Sequence, residues 1–263
     1  MKGTDPQKQA VLITSFGTTH QKTWENTIGA VESEIRHAFP QTLVTTAYTS
    51  PRVRRTLAKQ GFTLPGPQEA LEMLLQQGFE EVLVQPTFLL CGEEYHTLLT
   101  QLRPYTSHLS LRVGLPLLAD AEDIRQAASL LSRRYPPQEW VCTLFIGHGT
   151  AHPANAVYTT FAGQLQALGR NDCFVTTLEG KSPLGKSFPQ IAKQFHTARL
   201  VPLLLTAGVH VQEDIAGEGP DSLQSQLQAA GLQVFPHLQG LGEDPDFRAF
   251  YVRHLLGAKP LCV

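Results

Sequence analysis

The chain has 263 residues, a length that accommodates one large domain or two small ones packed together. Hydrophobic residues make up 42% and charged residues 17%, enough for a buried core, which excludes an intrinsically disordered chain. With 21 Lys and Arg against 23 Asp and Glu, the formal charge is −2, so no global field draws nucleic acid or an acidic membrane, and an anionic ligand must meet a local basic cluster.

Residues 1–9 lack the apolar run of a secretory signal, and no later stretch approaches the ~18 apolar residues of a membrane span. A cytoplasmic location without membrane or nucleic-acid partners is therefore expected. From residue 10 onward, short runs of Val, Ile and Leu alternate with amphipathic ones, the pattern of βα units in a mainly parallel sheet. A first strand is expected at 10–15. Trp24, Ile28, Val31, Ile35 and Phe39 recur every three or four positions and predict one helix, which Pro40 stops. Further strands are expected at 42–47, 81–85, 109–113, 141–146, 173–178, 198–204 and 233–235, with helices at 67–77, 122–133, 155–167 and 246–256. Cys91, Cys142, Cys173 and Cys262 lie far apart with no CxxC pair, against a zinc knuckle, a redox motif or a disulfide framework, and three of them read as buried thiols. No GxxxxGK[ST] phosphate loop, GxGxxG fingerprint or GxSxG elbow is present, so neither a nucleotide cofactor nor serine hydrolysis is indicated.

The halves resemble each other. Ile13-Thr14-Ser15-Phe16-Gly17-Thr18-Thr19-His20 aligns with Phe145-Ile146-Gly147-His148-Gly149-Thr150-Ala151-His152 at an offset of 132 positions. Thr49-Ser50-Pro51 aligns with Lys181-Ser182-Pro183 at the same offset, which predicts that the register holds across the intervening helix and strand. The segment 84–94 resembles 200–210 at an offset of 116, and Asp123-Ile124-Arg125 resembles Asp246-Phe247-Arg248 at an offset of 123. Self-similarity of this kind signals a duplicated architecture. Two α/β lobes, 1–134 and 135–263, are expected to meet near Tyr135-Pro136-Pro137, with a ligand cleft between the carboxyl ends of their strands.

His148, Glu179 and His210 each follow an expected strand of the second half. Parallel strands share a direction, so their ends open on one side and the three side chains can converge. Two imidazoles and a carboxylate suit a divalent first-row ion with positions left open. Each also has an ordinary explanation: His148 lies in a Gly-flanked turn, Glu179 before Gly180 reads as a loop carboxylate, and His210 as a lone loop histidine. Glu94 takes in the first half the place that His210 takes in the second. His152 reads as a partner to these ligands, and His37, His108, His196 and His254 as solvated or packed. Arg52, Arg54 and Arg55 follow Ser50-Pro51 and present guanidinium groups, suited to carboxylates or simply solvated.

Leu12 to Thr18, Tyr48-Thr49-Ser50, Gly92-Glu93-Glu94-Tyr95, Gly114-Leu115-Pro116-Leu117-Leu118, Gly147-His148-Gly149 and Gly240-Leu241-Gly242-Glu243-Asp244-Pro245 occur in an order that resembles the anaerobic, CbiK-type sirohydrochlorin cobaltochelatases. The resemblance runs from about residue 10 to residue 257. It implies the class II chelatase fold, two Rossmann-like α/β lobes with the active site between them. It implies metal ligation by His148, Glu179 and His210, and a further acidic role for Glu94. The implied reaction is insertion of Co²⁺ into sirohydrochlorin in cobalamin synthesis, without ATP, with His148, His210 or Glu94 taking pyrrole protons. Ser15, Arg54 and Arg55 become candidate contacts to the carboxylate-rimmed macrocycle. Ferro- or nickel-chelatase activity on the same substrate and a non-catalytic tetrapyrrole or metal carrier are the alternatives, and a homo-oligomer is left open. Gly180-Lys181-Ser182-Pro183 after Glu179 and Leu90-Cys91 before Gly92 depart from the family pattern and bear on substrate fit.

Overall fold

The structure, a computed structural model, describes residues 8–182, 184 and 187–262, and for Val209 and His210 the backbone alone. The first half runs β1 (Gln9–Ser15), α1 (Gln21–Asn26), α2 (Ile28–Ala38), β2 (Leu43–Tyr48), α3 (Pro51–Lys59), α4 (Pro67–Gln76), β3 (Glu81–Pro86), α5 (Glu93–Leu102), β4 (Ser110–Val113) and α6 (Ala121–Arg134). The second continues with β5 (Val141–Gly147), α7 (Ala156–Ala167), β6 (Cys173–Thr177), α8 (Phe188–Ala192), β7 (Thr197–Pro202), α9 (Val209–Ala216), α10 (Leu223–Ala229), β8 (Gln233–Pro236), α11 (Pro245–Leu256) and β9 (Lys259–Pro260).

All eight expected strands form, in two sheets of order β2-β1-β3-β4-β9 and β6-β5-β7-β8. Every pairing is parallel except that of the short edge strand β9 with β4. The order second, first, third, fourth thus occurs twice, as the repeats predict. Register agrees for the central pairs: Ala10 faces Val82 in one sheet and Cys142 faces Ala198 in the other, which are the offsets 132 and 116. The expectation that the register 132 also holds through the second strand is corrected. Val11 pairs with Val44 and Thr143 with Cys173, so β6 follows β2 at an offset of 129. Three additional residues therefore follow β6, and Glu179-Gly180 belongs to this longer loop.

In the first unit, alternate residues of each strand face opposite sides, and Ala10, Leu12, Val82 and Val84 pack beneath α4 and α5 through Ala70, Leu71, Leu74, Leu98 and Leu102. On the second unit's sheet, Cys142, Leu144, Ile146, Ala198 and Leu200 pack against α8, α9 and α10. Phe145 points the other way and meets Phe161 of α7 edge-on at 5.6 Å. Fully burying each such aliphatic side chain contributes roughly 1.5–3 kcal/mol, which anchors the strands that carry the site.

The expected boundary after residue 134 is also corrected. One compact unit runs to Leu117 and resumes at Pro245, and the other is Leu118–Asp244. Each repeat's last helix belongs to the other unit. Helix α6 buries Ile124, Ala127, Ala128 and Leu131 and packs on α7. Its end is tied down by Arg170, whose Nη1 donates to the Ser132 carbonyl at 2.7 Å and whose Nη2 donates to the Tyr135 carbonyl at 2.6 Å. Helix α11 packs on α2 and β3, and the Tyr251 hydroxyl donates to the carbonyls of Thr87 and Phe88 at 3.3 Å each. A chain-order boundary could not show this exchange, because an apolar helix face does not identify the sheet it covers.

The single helix expected over Trp24 to Phe39 is two. Thr27 interrupts it at φ −124°, ψ −86°, with its hydroxyl bonded back to the Thr23 carbonyl. Ile28, Val31 and Ile35 are buried on α2 as the spacing requires. Cys142 and Cys173 are buried, Cys91 half-buried and Cys262 exposed, and these four, all among the described residues, form no disulfide. Burial pushes the Cys142 and Cys173 thiols up to about 12, where they stay protonated. No helix among the described residues is long and apolar enough to cross a membrane.

Candidate metal centre

The segments that carry the second unit's candidate ligands follow strands β5, β6 and β7. Strands β5, β6 and β7 are parallel, so the segments after Gly147, Thr177 and Pro202 leave the sheet on one side. Hydrogen bonding continues past the strand ends: Leu178 N–H donates to the Gly147 carbonyl at 3.0 Å, and Glu179 N–H to the His148 carbonyl at 2.7 Å. Leu203 N–H donates to the Ile146 carbonyl at 2.7 Å.

Glycines allow the close approach of the two loops. Gly149 has φ +83°, and a Cβ there would lie 1.8 Å from the Glu179 carbonyl oxygen. Gly180 has φ +68°, and its Cβ would lie 2.7 Å from the Thr150 carbonyl oxygen. Only residues without a Cβ satisfy both the left-handed backbone and the contact. With the backbones so joined, His148 Nδ1 lies 3.9 Å from Glu179 Oε2, and the two side chains are 57% and 70% exposed.

His148 Nδ1 is also 3.1 Å from the Gly149 carbonyl oxygen. A carbonyl only accepts, so in the neutral ring Nδ1 carries the proton and Nε2 the lone pair. Such a bond from one imidazole nitrogen to a carbonyl is the usual way a ligating histidine is oriented. First-row ions bind nitrogen and oxygen at about 2.0–2.2 Å, and in this tautomer Nε2 is the ring nitrogen with a lone pair to offer one.

His210 is the second residue of α9, whose N-cap is Gly208, rather than a loop residue, and its side chain lies outside the described residues. Among the described residues no three His, Cys, Asp or Glu side chains gather as a metal site, and of the candidate ligands only His148 and Glu179 have described side chains, standing beside each other. Pro183 of the expected repeat also lies outside the described residues. His152 caps the turn at 153–155, its Nδ1 accepting from Ala154 N–H at 3.1 Å. His254 is buried with Nδ1 3.1 Å from the Leu115 carbonyl, and His196 stacks on Trp140 at 5.2 Å. His37 and His108 are exposed.

Sequence reasoning missed Tyr158. This residue of α7 is 1% exposed, and its ring lies against the end of β5: a Cβ on Gly147 would fall 2.1 Å from Tyr158 Cε1 and 2.8 Å from its hydroxyl oxygen. The spacing of Tyr158, Phe161 and Leu165 signals only a core-facing stripe, so its polar tip is invisible without the fold.

In the first unit, Phe16 follows β1 as His148 follows β5, and each precedes a glycine of positive φ, Gly17 at +94° and Gly149 at +83°. The Phe16 ring is 51% exposed. Glu94 is the second residue of α5, as His210 is of α9, and both helices are N-capped by glycine. Partial burial raises the Glu94 carboxyl above its ordinary range, the neighbouring Glu93 adds to this, and the Thr49 hydroxyl opposes it. Ser15 is 2% exposed and its hydroxyl accepts from Gly17 N–H at 3.3 Å, so its side chain serves the turn.

The arginine cluster divides. Arg54 Nη1 donates to both oxygens of Glu69, at 3.2 and 2.9 Å, and Glu69 accepts from Gly66 N–H at 2.7 Å, closing the start of α4. The Gly66 bond holds the Glu69 carboxyl below its ordinary range; burial opposes this and Arg54 reinforces it. Arg54 is thus committed within the fold, while Arg52 and Arg55 are exposed on α3.

Two α/β units of matching strand order make the class II chelatase fold. The same fold occurs in SirB from Bacillus subtilis, solved with Fe³⁺, at a TM-score of 0.66 and 16% identity over 95% of this chain and 94% of that one. The chain belongs to the cobalt chelatase (CbiK) family, whose model matches residues 9–259. A sirohydrochlorin cobaltochelatase of Salmonella typhimurium is 31% identical over 97% of this chain and 98% of its own length. The sirohydrochlorin cobaltochelatase CbiKC of Nitratidesulfovibrio vulgaris is 30% identical over 95% of this chain and 90% of its own.

Proposed function

We propose that this chain inserts Co²⁺ into sirohydrochlorin, with the His148–Glu179 pair holding the ion as it is handed over. The observation that carries this reading is the 3.9 Å pair itself, built on two glycines that the left-handed backbone and the close loop packing both require, in a chain of the cobalt chelatase family. His148 Nε2 and a Glu179 oxygen are the donors, and His210 is the third ligand. The set is sparse, and its His148 and Glu179 are exposed, which suits an ion that must leave again for the macrocycle nitrogens.

Insertion exchanges one divalent ion for two pyrrole protons. A neutral imidazole of this site is a suitable proton acceptor once the ion has moved off it. Glu94, with its carboxyl raised by burial, is the second acceptor. Arg52 and Arg55 meet carboxylates of the substrate rim, and Ser15 and Arg54 shape that surface rather than bind. The reaction uses no nucleotide and takes place in the cytoplasm as a step of cobalamin synthesis.

Borderline nitrogen and oxygen ligands do not select Co²⁺ over Fe²⁺ or Ni²⁺ by affinity, so the physiological metal rests on the family. Anaerobic mixing of purified protein with sirohydrochlorin and each ion at equal free concentration, followed by visible absorption, tests the reading. Turnover above the uncatalysed rate, fastest with Co²⁺, is expected. A stoichiometric spectral change without turnover would establish a carrier instead.

A further inference from the structure

Asn155 joins the two loops that carry His148 and Glu179. It stands where the turn at 153–155 runs into α7, and with φ −57° and ψ −23° its backbone is already helical, so its side chain makes no cap for that helix. The amide is used elsewhere: Oδ1 accepts from Thr150 N–H at 3.0 Å, and Nδ2 donates to the Lys181 carbonyl at 2.8 Å. A backbone N–H only donates and a carbonyl only accepts, so the two partners fix which way the amide is turned. Thr150 lies two residues after His148, and Lys181 two residues after Glu179. Nearer the strands the same loops meet through Glu179 N–H and the His148 carbonyl at 2.7 Å. That bond is the last rung of the β5–β6 pairing, and a last rung frays unless something beyond it is held. Gly149 and Gly180 permit the close approach of the loops but supply no side chain to keep it, whereas the Asn155 amide bonds to both.

From this geometry we infer that Asn155 is a positioning residue for the His148–Glu179 pair, closing the two loops beyond the last rung so that the imidazole and the carboxylate stay together. The inference rests on the metal-handling role proposed for that pair. It assigns the Asn155 amide a function that α7 does not need, since neither of its bonds is to the helix.

Asn155→Ser removes the bridge, because the hydroxyl ends where the asparagine amide begins. Serine and asparagine differ little in helix propensity, so α7 is left intact. Groups that hold metal ligands in place from behind typically contribute about 10–100-fold, and kcat/KM for Co²⁺ insertion falls by at least the lower of these. KM for Co²⁺ rises while KM for sirohydrochlorin is unchanged, a split that general loosening of the fold does not produce. In the Glu179→Ala background the same substitution causes no further loss, because its effect passes through the pair. Wild-type kinetics in Asn155→Ser, or a full additional loss in the double variant, would overturn the inference. Undiminished rates in His148→Ala and Glu179→Ala would remove the proposed function and this inference together, whereas losses in both beside wild-type kinetics in Asn155→Ser remove the inference alone. Amide hydrogen exchange reads the bridge apart from activity. In the wild-type chain the Thr150 and Glu179 amides are protected well beyond those of an open loop, and in Asn155→Ser both exchange about tenfold faster or more while Phe145, inside β5, is unchanged. Open-loop exchange at Glu179 in the wild-type chain, or an unchanged Glu179 amide in the variant, contradicts the inference.

Discussion

Glu179 is joined to His148 twice: its backbone N–H donates to the His148 carbonyl at 2.7 Å, and its Oε2 stands 3.9 Å from His148 Nδ1. The first contact extends the β5–β6 pairing beyond both strands, and the second is its consequence at the level of side chains. The spacing of the candidate ligands is therefore set by backbone geometry. Exposed long side chains held only by their own rotamers would not keep it.

The glycines beneath the pair should be irreplaceable, and a glycine elsewhere should not. Gly149→Ala meets a left-handed backbone and the Glu179 carbonyl at once, and should cost about 2–4 kcal/mol in urea unfolding along with metal insertion. Gly163, exposed within α7 with nothing within 4 Å of a built Cβ, gives the opposite result. Gly163→Ala should stabilise the chain by about 1 kcal/mol and leave activity unchanged.

Glu94 should stabilise the fold only when protonated. Its carboxyl is raised above 4.5, so its favourable contribution is present below that pH and is lost as pH rises through the raised folded value. Glu94→Gln removes the cost of holding a charge there. Unfolding midpoints should be higher than wild type at pH 7.5 and equal to it near pH 4, with insertion slower throughout. A midpoint unchanged at both pH values would show that Glu94 carries no such burden.

The three arginines should separate by assay. Arg54→Ala breaks the contact with Glu69 at the start of α4, at a cost of no more than about 1 kcal/mol because the pair is partly exposed. Arg52→Ala and Arg55→Ala should leave the unfolding midpoint in place and raise KM for sirohydrochlorin on the order of tenfold together, an effect that fades with salt. If Arg54→Ala alone changed KM, the division drawn from its hydrogen bonds would be wrong.

The strands were legible because buried parallel strands read as continuous apolar runs, and the repeat offsets 132 and 116 recur in the pairing of Ala10 with Val82 and Cys142 with Ala198. The duplication obscured one detail. Ser50 and Ser182 align so well that the three residues added after β6 were hidden, although they form the loop that carries Glu179. His148 stood out because a bulky polar ring between two glycines is unusual. Tyr158 did not, because the contact of its ring with Gly147 at the end of β5 exists only in the fold. The exchange of α6 and α11 between units was likewise beyond sequence, since an apolar helix face does not name the sheet it will cover. Arg54, singled out for its charge, was claimed by Glu69, fifteen positions away and in another helix.

The most direct test of the metal centre is the initial rate of anaerobic Co²⁺ insertion into sirohydrochlorin by the wild-type chain, His148→Ala and Glu179→Ala, across a range of free Co²⁺. With the pair as the site of handover, both variants fold as wild type, lose on the order of 100-fold or more in kcat/KM, and are not restored by excess metal. Variants that match the wild-type rate at every Co²⁺ concentration would place the metal's route elsewhere in the chain.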